Sequence, residues 1–105
     1  MFFLAMRSAV IPREEWTTTL DTHLAWMKQQ HDEGKILLSG PSGDRKYGMY
    51  LIKASSREEA ERIAGSDPYT AAGHTTFELI QWEIHQVLGI GNFTDAGLRA
   101  QARAG

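Results

Sequence analysis

The chain has 105 residues, of which 42% are apolar and 23% are charged, and its formal net charge is -2 at pH 7. This length suits one domain with a modest core, and the charge balance provides no basic surface, so we expect neither a nucleic-acid nor a membrane partner. The chain contains no cysteine, which excludes disulfides, thiolate nucleophiles and cysteine metal sites.

The first predicted element is a buried strand over residues 2–9, FFLAMRSA, because this apolar run is too short for a helix. The apolar opening is interrupted by Arg7 and lacks the basic start of a signal peptide, so we expect a cytoplasmic protein. Pro12 ends the strand, and a helix is predicted from the following REEW segment to Gly34.

One face of this first helix is apolar. Residues spaced by three or four positions form the stripe, which consists of Trp16, Leu20, Leu24 and Met27. His23 lies within the same stripe, so its imidazole is expected to point toward the sheet. Taken alone, such a histidine is more often a core residue whose ring nitrogens bind backbone groups than a catalytic one.

Two further strands follow, over residues 35–40 and 47–54, and the polar segment 41–46 connects them. Ser56 and Glu59 fit a capping box at the start of a second helix, which is predicted to end near Ala64.

A turn is predicted over residues 64–73, AGSDPYTAAG, and a long strand over residues 75–87. Asp67 precedes Pro68 in the turn, and local chemistry alone favours a structural role for this aspartate.

The element order β-α-β-β-α-β predicts an α+β fold, the ferredoxin-like sandwich with a four-stranded antiparallel sheet. We assign residues 1–88 to this domain and residues 89–105 to a C-terminal extension with a turn or short helix. Two helices cover only one face of the sheet, yet the predicted strands carry apolar residues on both faces. We therefore expect a homodimer formed through the sheet faces.

The remaining histidines give a weak signal for chemistry. His74 stands at the entry to the last strand, from which its side chain could reach the mouth of a cleft and bind substrate. His31 and His85 are expected to be solvated or to lie on a polar face. No histidine spacing is typical of a metal site and no glycine-rich loop matches a nucleotide site, so we expect no metal and no cofactor.

Three segments together resemble the YCII-related family of small bacterial proteins: HLAWMKQQHDEGKILLSGP over residues 23–41, residues 47–73 with the D-P-Y-x-x-A-G motif, and FELIQW over residues 77–82. The resemblance implies the dimeric ferredoxin-like α+β barrel that muconolactone isomerase also uses. It also implies a cleft lined by a histidine and an aspartate, which match His23 and Asp67. We expect Ser39 and Tyr69 to line the same cleft. The best-defined activity in the family is a dehydrochlorinase acting on a chlorinated hydroxyquinol.

From this resemblance we expect a cofactor-independent lyase or isomerase, dehydrochlorinase-like, acting on a small aromatic or lactone-like molecule. His23 would be the general acid or base, and Asp67 would orient its tautomer. The alternative is a non-enzymatic module that binds a small ligand or serves assembly and retains a vestigial cleft. A haem- or metal-binding relative of the same barrel ranks last.

Overall fold

The structure is a computed structural model that describes residues 1–87, and it contains four strands and three α-helices. In chain order the elements are β1 (Phe2–Ala9), a 3₁₀ helix (Arg13–Thr19), α1 (Leu20–Asp32), β2 (Ile36–Pro41), β3 (Tyr47–Lys53), α2 (Arg57–Gly65), α3 (Pro68–Ala71) and β4 (Thr75–Gln81). The strands form one antiparallel sheet in the order β2-β3-β1-β4. This architecture confirms the predicted ferredoxin-like α+β fold. No helix within the described residues is long and apolar enough to cross a membrane.

The core lies between the helices and one face of the sheet. Phe3 and Ala5 of β1 pair with Ile52 and Tyr50 of β3, and all four side chains are buried because alternate residues of a strand share a face. The core cluster is completed by one residue of β2, one that follows β3 and three of α2, namely Ile36, Ala54, Ala60, Ile63 and Ala64.

The start of α2 confirms the predicted helix cap. The hydroxyl of Ser56 accepts a hydrogen bond from the backbone N–H of Glu59 at 3.1 Å. In an ideal capping box the glutamate returns to the N–H of the cap residue, whereas here the Glu59 carboxylate accepts from the N–H of Ser55 at 3.0 Å. The helix therefore begins one residue after the cap, as predicted.

The first helical segment differs from its prediction. A 3₁₀ helix occupies Arg13–Thr19, and the α-helix begins only at Leu20. A 3₁₀ helix has three residues per turn and an α-helix has 3.6, so the apolar stripe that begins at Trp16 does not continue along the same side of the helix beyond Leu20. Leu20 and Leu24 therefore stay 45% and 55% exposed, whereas Trp16 is buried.

The last strand is shorter than predicted, and its assignment beyond Gln81 is wrong. Gln81 pairs with Phe3, and the next residue, Trp82, donates its N–H to the carbonyl of Phe2 at 2.9 Å. Because β1 begins at Phe2, residues 82–86 run past the end of their partner and form no regular strand. The stretch predicted only as a turn contains the short helix α3. The predicted end of the domain at residue 88 and the extension over 89–105 lie outside the described residues.

Candidate functional site

His23 and Asp67 form a buried hydrogen-bonded pair, although they are far apart in sequence. The imidazole Nδ1 lies 2.7 Å from the carboxylate Oδ1 of Asp67. His23 is 8% exposed and Asp67 is fully buried. A carboxylate can only accept hydrogen bonds, so Nδ1 carries the proton and Nε2 is the other ring nitrogen, free of any hydrogen bond within residues 1–87.

Two more donors complete the surroundings of the Asp67 carboxylate. The Arg7 guanidinium donates from Nη1 to Oδ2 at 2.9 Å, and the backbone N–H of Tyr69 donates to Oδ1 at 3.0 Å. Burial would raise the pKa of Asp67, but the hydrogen bonds from His23 and Arg7 outweigh it and hold this pKa below its usual value. Asp67 is thus an ionised carboxylate held in the protein interior by three donors.

The local sequence explains the position of this carboxylate. Proline at 68 keeps Asp67 extended, with φ -55° and ψ 124°, and suits the first position of the helix that follows. The Asp67 side chain caps α3 through the N–H of Tyr69. The carboxylate that caps the start of α3 is therefore also positioned to accept the bond from His23.

Arg7 is a site residue that the sequence analysis did not identify. It stands in the register opposite Gly48, and a Cβ atom at Gly48 would lie 2.5 Å from Nη2 of Arg7. The glycine therefore provides the space through which the guanidinium passes over β3 to reach Asp67. The one charged residue in the strand FFLAMRSA, on the same face as Phe3 and Ala5, was the signal available in the sequence.

Aromatic rings hold the imidazole in place. The ring of Tyr69 stacks on that of His23, with centroids 4.2 Å apart and an angle of 18° between the planes. Trp16 packs against Tyr69 in turn, at 4.9 Å. Burial raises the pKa of Tyr69, an effect opposed by the nearby charge of Arg7, so its hydroxyl remains protonated near neutral pH.

His23 opens onto a cavity of about 510 Å³, which we call the imidazole cavity. This volume falls within the range that holds a small organic ligand. Its walls are mostly aromatic and aliphatic, with a few polar groups, and the lining residues besides His23 include Arg7, Arg13, Trp16, Leu20, Leu24, Met27, Ser39, Tyr47, Met49, Tyr50 and Tyr69. The exposed leucines of the first helical segment are thus cavity walls.

Two of the predicted substrate-binding residues line this cavity and one does not. Ser39 and Tyr69 are lining residues. The hydroxyl of Ser39 also lies 2.8 Å from Nε2 of His31, a contact that the sequence analysis did not anticipate. His74 is directed elsewhere, with its Nδ1 3.3 Å from the hydroxyl of Thr19.

The described part of the chain contains no group of three or more histidine, aspartate or glutamate side chains arranged to hold a metal ion. The polar side chains that line the imidazole cavity include instead one histidine, two arginines, three tyrosines, one threonine and one serine. This set can transfer protons and can bind oxygen atoms of an organic molecule.

Comparison with known proteins gives a consistent result. Residues 1–83 match the family model described as the YCII-related domain. The chain is 31% identical over 62 residues to the uncharacterized protein YjpA of Bacillus subtilis (strain 168), which covers 59% of this chain and 73% of that protein. The fold is similar to that of 5-chloro-2-hydroxyhydroquinone dehydrochlorinase (TftG) from Burkholderia phenoliruptrix AC1100 in complex with 2,5-dihydroxybenzoquinone, with a TM-score of 0.66, 23% identity, and coverage of 82% of this chain and 96% of that one.

Proposed function

The chain belongs to the YCII-related domain family, and we propose that it is a cofactor-independent lyase or isomerase acting on a small, planar, oxygen-bearing molecule. One observation carries the proposal. His23 has its Nδ1 proton bound by the buried carboxylate of Asp67, while the side chain lines a cavity with aromatic walls. An imidazole whose Nδ1 proton is held by a carboxylate has Nε2 as its second proton site, an arrangement suited to general acid–base catalysis.

The proposed reaction begins when Nε2 of His23 accepts a proton from a hydroxyl or an acidic C–H group of the substrate. In a lyase, the electron pair released by this proton forms a double bond, and the leaving group departs with its own bonding pair. In an isomerase, the imidazolium returns the proton to another atom of the same molecule. Asp67 stabilises the imidazolium in both cases, because its negative charge lies 2.7 Å from Nδ1.

Dehydrochlorination is the form of this chemistry that the comparisons favour. The dehydrochlorinase of similar fold acts on 5-chloro-2-hydroxyhydroquinone, and its structure holds 2,5-dihydroxybenzoquinone. A planar ring of that size suits the walls formed here by Trp16, Tyr69 and Leu24. Loss of HCl from such a ring takes two proton transfers: one hydroxyl proton moves to the carbon that bears chlorine, and chloride then leaves that carbon with the bonding pair while a second hydroxyl loses its proton and becomes a carbonyl. An imidazole that accepts and returns a proton can serve both transfers and no oxidant is consumed, so we propose a role in the breakdown of aromatic compounds in the cytoplasm.

The direct test is chloride release from 5-chloro-2-hydroxyhydroquinone, assayed without oxygen to prevent oxidation of the substrate. The wild-type protein is expected to release chloride, and His23→Gln is expected to lower kcat/KM by about 10²–10⁴-fold. His85→Gln is the matched control, because His85 undergoes the same chemical change outside the imidazole cavity.

Equal rates for wild type and His23→Gln would contradict the assignment of His23. Binding of 2,5-dihydroxybenzoquinone without turnover of any hydroxyquinol or lactone would instead support the alternative, a ligand-binding module with a vestigial cleft.

A further inference from the structure

A second cavity of about 380 Å³ adjoins the imidazole cavity and has a different character. Its lining combines basic side chains with small residues of β1 and β3, and consists of Arg7, Ser8, Ala9, Arg13, Trp16, Arg45, Lys46, Tyr47 and Gly48. Arg7, Arg13 and Trp16 line both cavities. Because the two cavities share these walls, a molecule bound beside His23 can extend from the imidazole cavity into the second cavity.

The charge of the second cavity is strongly positive. Four of its lining residues are cations, and none is an aspartate or glutamate. The charge of Arg7 is offset by Asp67, but Arg13, Arg45 and Lys46 form no ion pair with any other described residue. This concentration of positive charge contrasts with a chain whose net charge is -2.

The contacts around these cations leave them available to a ligand. Arg13 lies over the ring of Trp16, with its Cζ 5.4 Å from the ring centroid, and donates only to the carbonyl of Arg45, at 3.2 Å. The nearest carboxylate of the loop, Asp44, accepts instead from the hydroxyl of Ser42 and the backbone N–H of Lys46. The guanidinium of Arg45 and the ammonium of Lys46 therefore remain exposed and unneutralised.

We propose that the second cavity binds a carboxylate carried by the same molecule whose ring lies beside His23. The inference rests on the proposed function, since it defines the substrate class of that site as a planar ring with an acidic substituent. Arginine favours a carboxylate because its planar guanidinium presents two parallel N–H donors to the two oxygens. Arg13 and Arg45 approach the cavity from different elements, so the carboxylate fixes the orientation of the ring relative to Nε2.

The test compares two probes that differ only by the carboxylate: 2,5-dihydroxybenzoate and hydroquinone. Their dissociation constants are measured by calorimetry at low and high NaCl concentrations. We expect the carboxylate probe to bind about 10-fold more tightly or better, since hydrogen bonds to charged groups contribute at this level. This advantage should shrink at high salt because the second cavity is open to solvent.

The key variant is Arg45→Gly. Arg45 has a φ of 65°, a conformation that glycine adopts without strain, so this change removes the charge and preserves the backbone. Arg45→Gly is expected to weaken the binding of 2,5-dihydroxybenzoate several-fold and to leave the affinity for hydroquinone unchanged. Lys46→Gln should change the two affinities in the same direction. Lys53→Gln is the control, because this exposed lysine lines neither cavity.

Equal affinities for the two probes, or an unchanged preference in Arg45→Gly, would overturn the carboxylate site while leaving the proposed acid–base function intact. Failure of both probes to bind would instead contradict the aromatic site on which the inference rests.

Discussion

The carboxylate of Asp67 serves two purposes through one set of hydrogen bonds. Its bond from the N–H of Tyr69 caps α3, and its bonds to His23 and Arg7 join α1 and β1 to the same point. A fully buried carboxylate is costly unless it is paired and hydrogen-bonded, and here three donors from three elements reach its two oxygens. The hydrogen bonds of the candidate site therefore also hold α1, β1 and α3 together.

The lowered pKa of Asp67 predicts how stability depends on pH. Because the folded-state pKa lies below the unfolded value of about 3.9, the ionised group stabilises the protein above that pH, and this contribution is lost as the pH falls through the folded-state pKa. Asp67→Asn should lower the free energy of unfolding by about 3 kcal/mol at pH 6. The difference from wild type should shrink steadily below about pH 4.

Urea unfolding at a series of pH values between 6 and about 2 checks this prediction. Asp21→Asn removes the same charge at an exposed position and is the control. A difference between wild type and Asp67→Asn that stayed constant down to the lowest pH would contradict the account.

The site was only partly predictable from the sequence. His23 and Asp67 could be paired only through the resemblance, because 44 residues separate them and neither position is unusual locally. The alternation in β1 puts Arg7 on the same face as Phe3 and Ala5, but its bond to Asp67 depends on where the start of α3 packs against the sheet, which the sequence does not specify. His74 faces Thr19 because the backbone of residue 74 is held by the chain following β1, through hydrogen bonds to its carbonyl from Val10 and Ile11.

The pairing of β1 with β3 places Arg7 opposite Gly48, and only a glycine leaves room for the guanidinium at this position. Gly48→Ala would place a methyl group within 3 Å of the guanidinium and displace it from Asp67. We expect this change to lower the free energy of unfolding by about 1 kcal/mol, since a buried acceptor loses a charged donor. In an Arg7→Met background the same change should have almost no effect.

Urea unfolding of the four proteins in this double-mutant cycle provides the measurement. An equal loss of stability from Gly48→Ala in both backgrounds would show that Arg7 does not depend on the glycine.

The start of α2 is an element boundary that the local sequence determines. The cap at Ser56 was predictable because its partner is three residues away, and the loss of this cap in Ser56→Ala should cost about 1 kcal/mol, whereas Ser56→Asp should retain the stability. Thermal unfolding distinguishes the two variants, and equal losses would contradict a capping role.

The errors in the prediction have non-local causes. The end of β4 is set by where β1 begins, so the apolar alternation that continues to Trp82 and Ile84 could not reveal it. Likewise, periodicity alone did not distinguish the 3₁₀ segment Arg13–Thr19 from the start of the α-helix, since both repeats place Trp16 on an inward face.

The sheet face opposite the helices carries exposed apolar side chains. Leu38 is 67% exposed and Ile80 is 50% exposed. The strand register places both side chains on this face, together with those of Leu4 and Met6. We propose that a second copy covers this face, as the sequence analysis predicted, because a second copy offers a surface of the same shape and apolar character.

Light scattering coupled to size-exclusion chromatography tests the dimer. The wild type is expected to have twice the mass of the chain, and Ile80→Glu is expected to be monomeric, because a carboxylate would be buried without a partner at the interface. Val10→Glu is the control, since Val10 is 61% exposed but lies beyond the end of β1. A monomeric wild type, or a dimer that persists in Ile80→Glu, would contradict this interface.

The most direct test of the central claim, that His23 faces a bound substrate, is a crystal structure of the protein with 2,5-dihydroxybenzoquinone. We predict that the ring lies in the imidazole cavity with an oxygen within hydrogen-bonding distance, about 3 Å, of Nε2 of His23, while Nδ1 remains bound to Asp67. A ligand bound away from Nε2, or a cavity that stays empty at saturating concentration, would contradict the account.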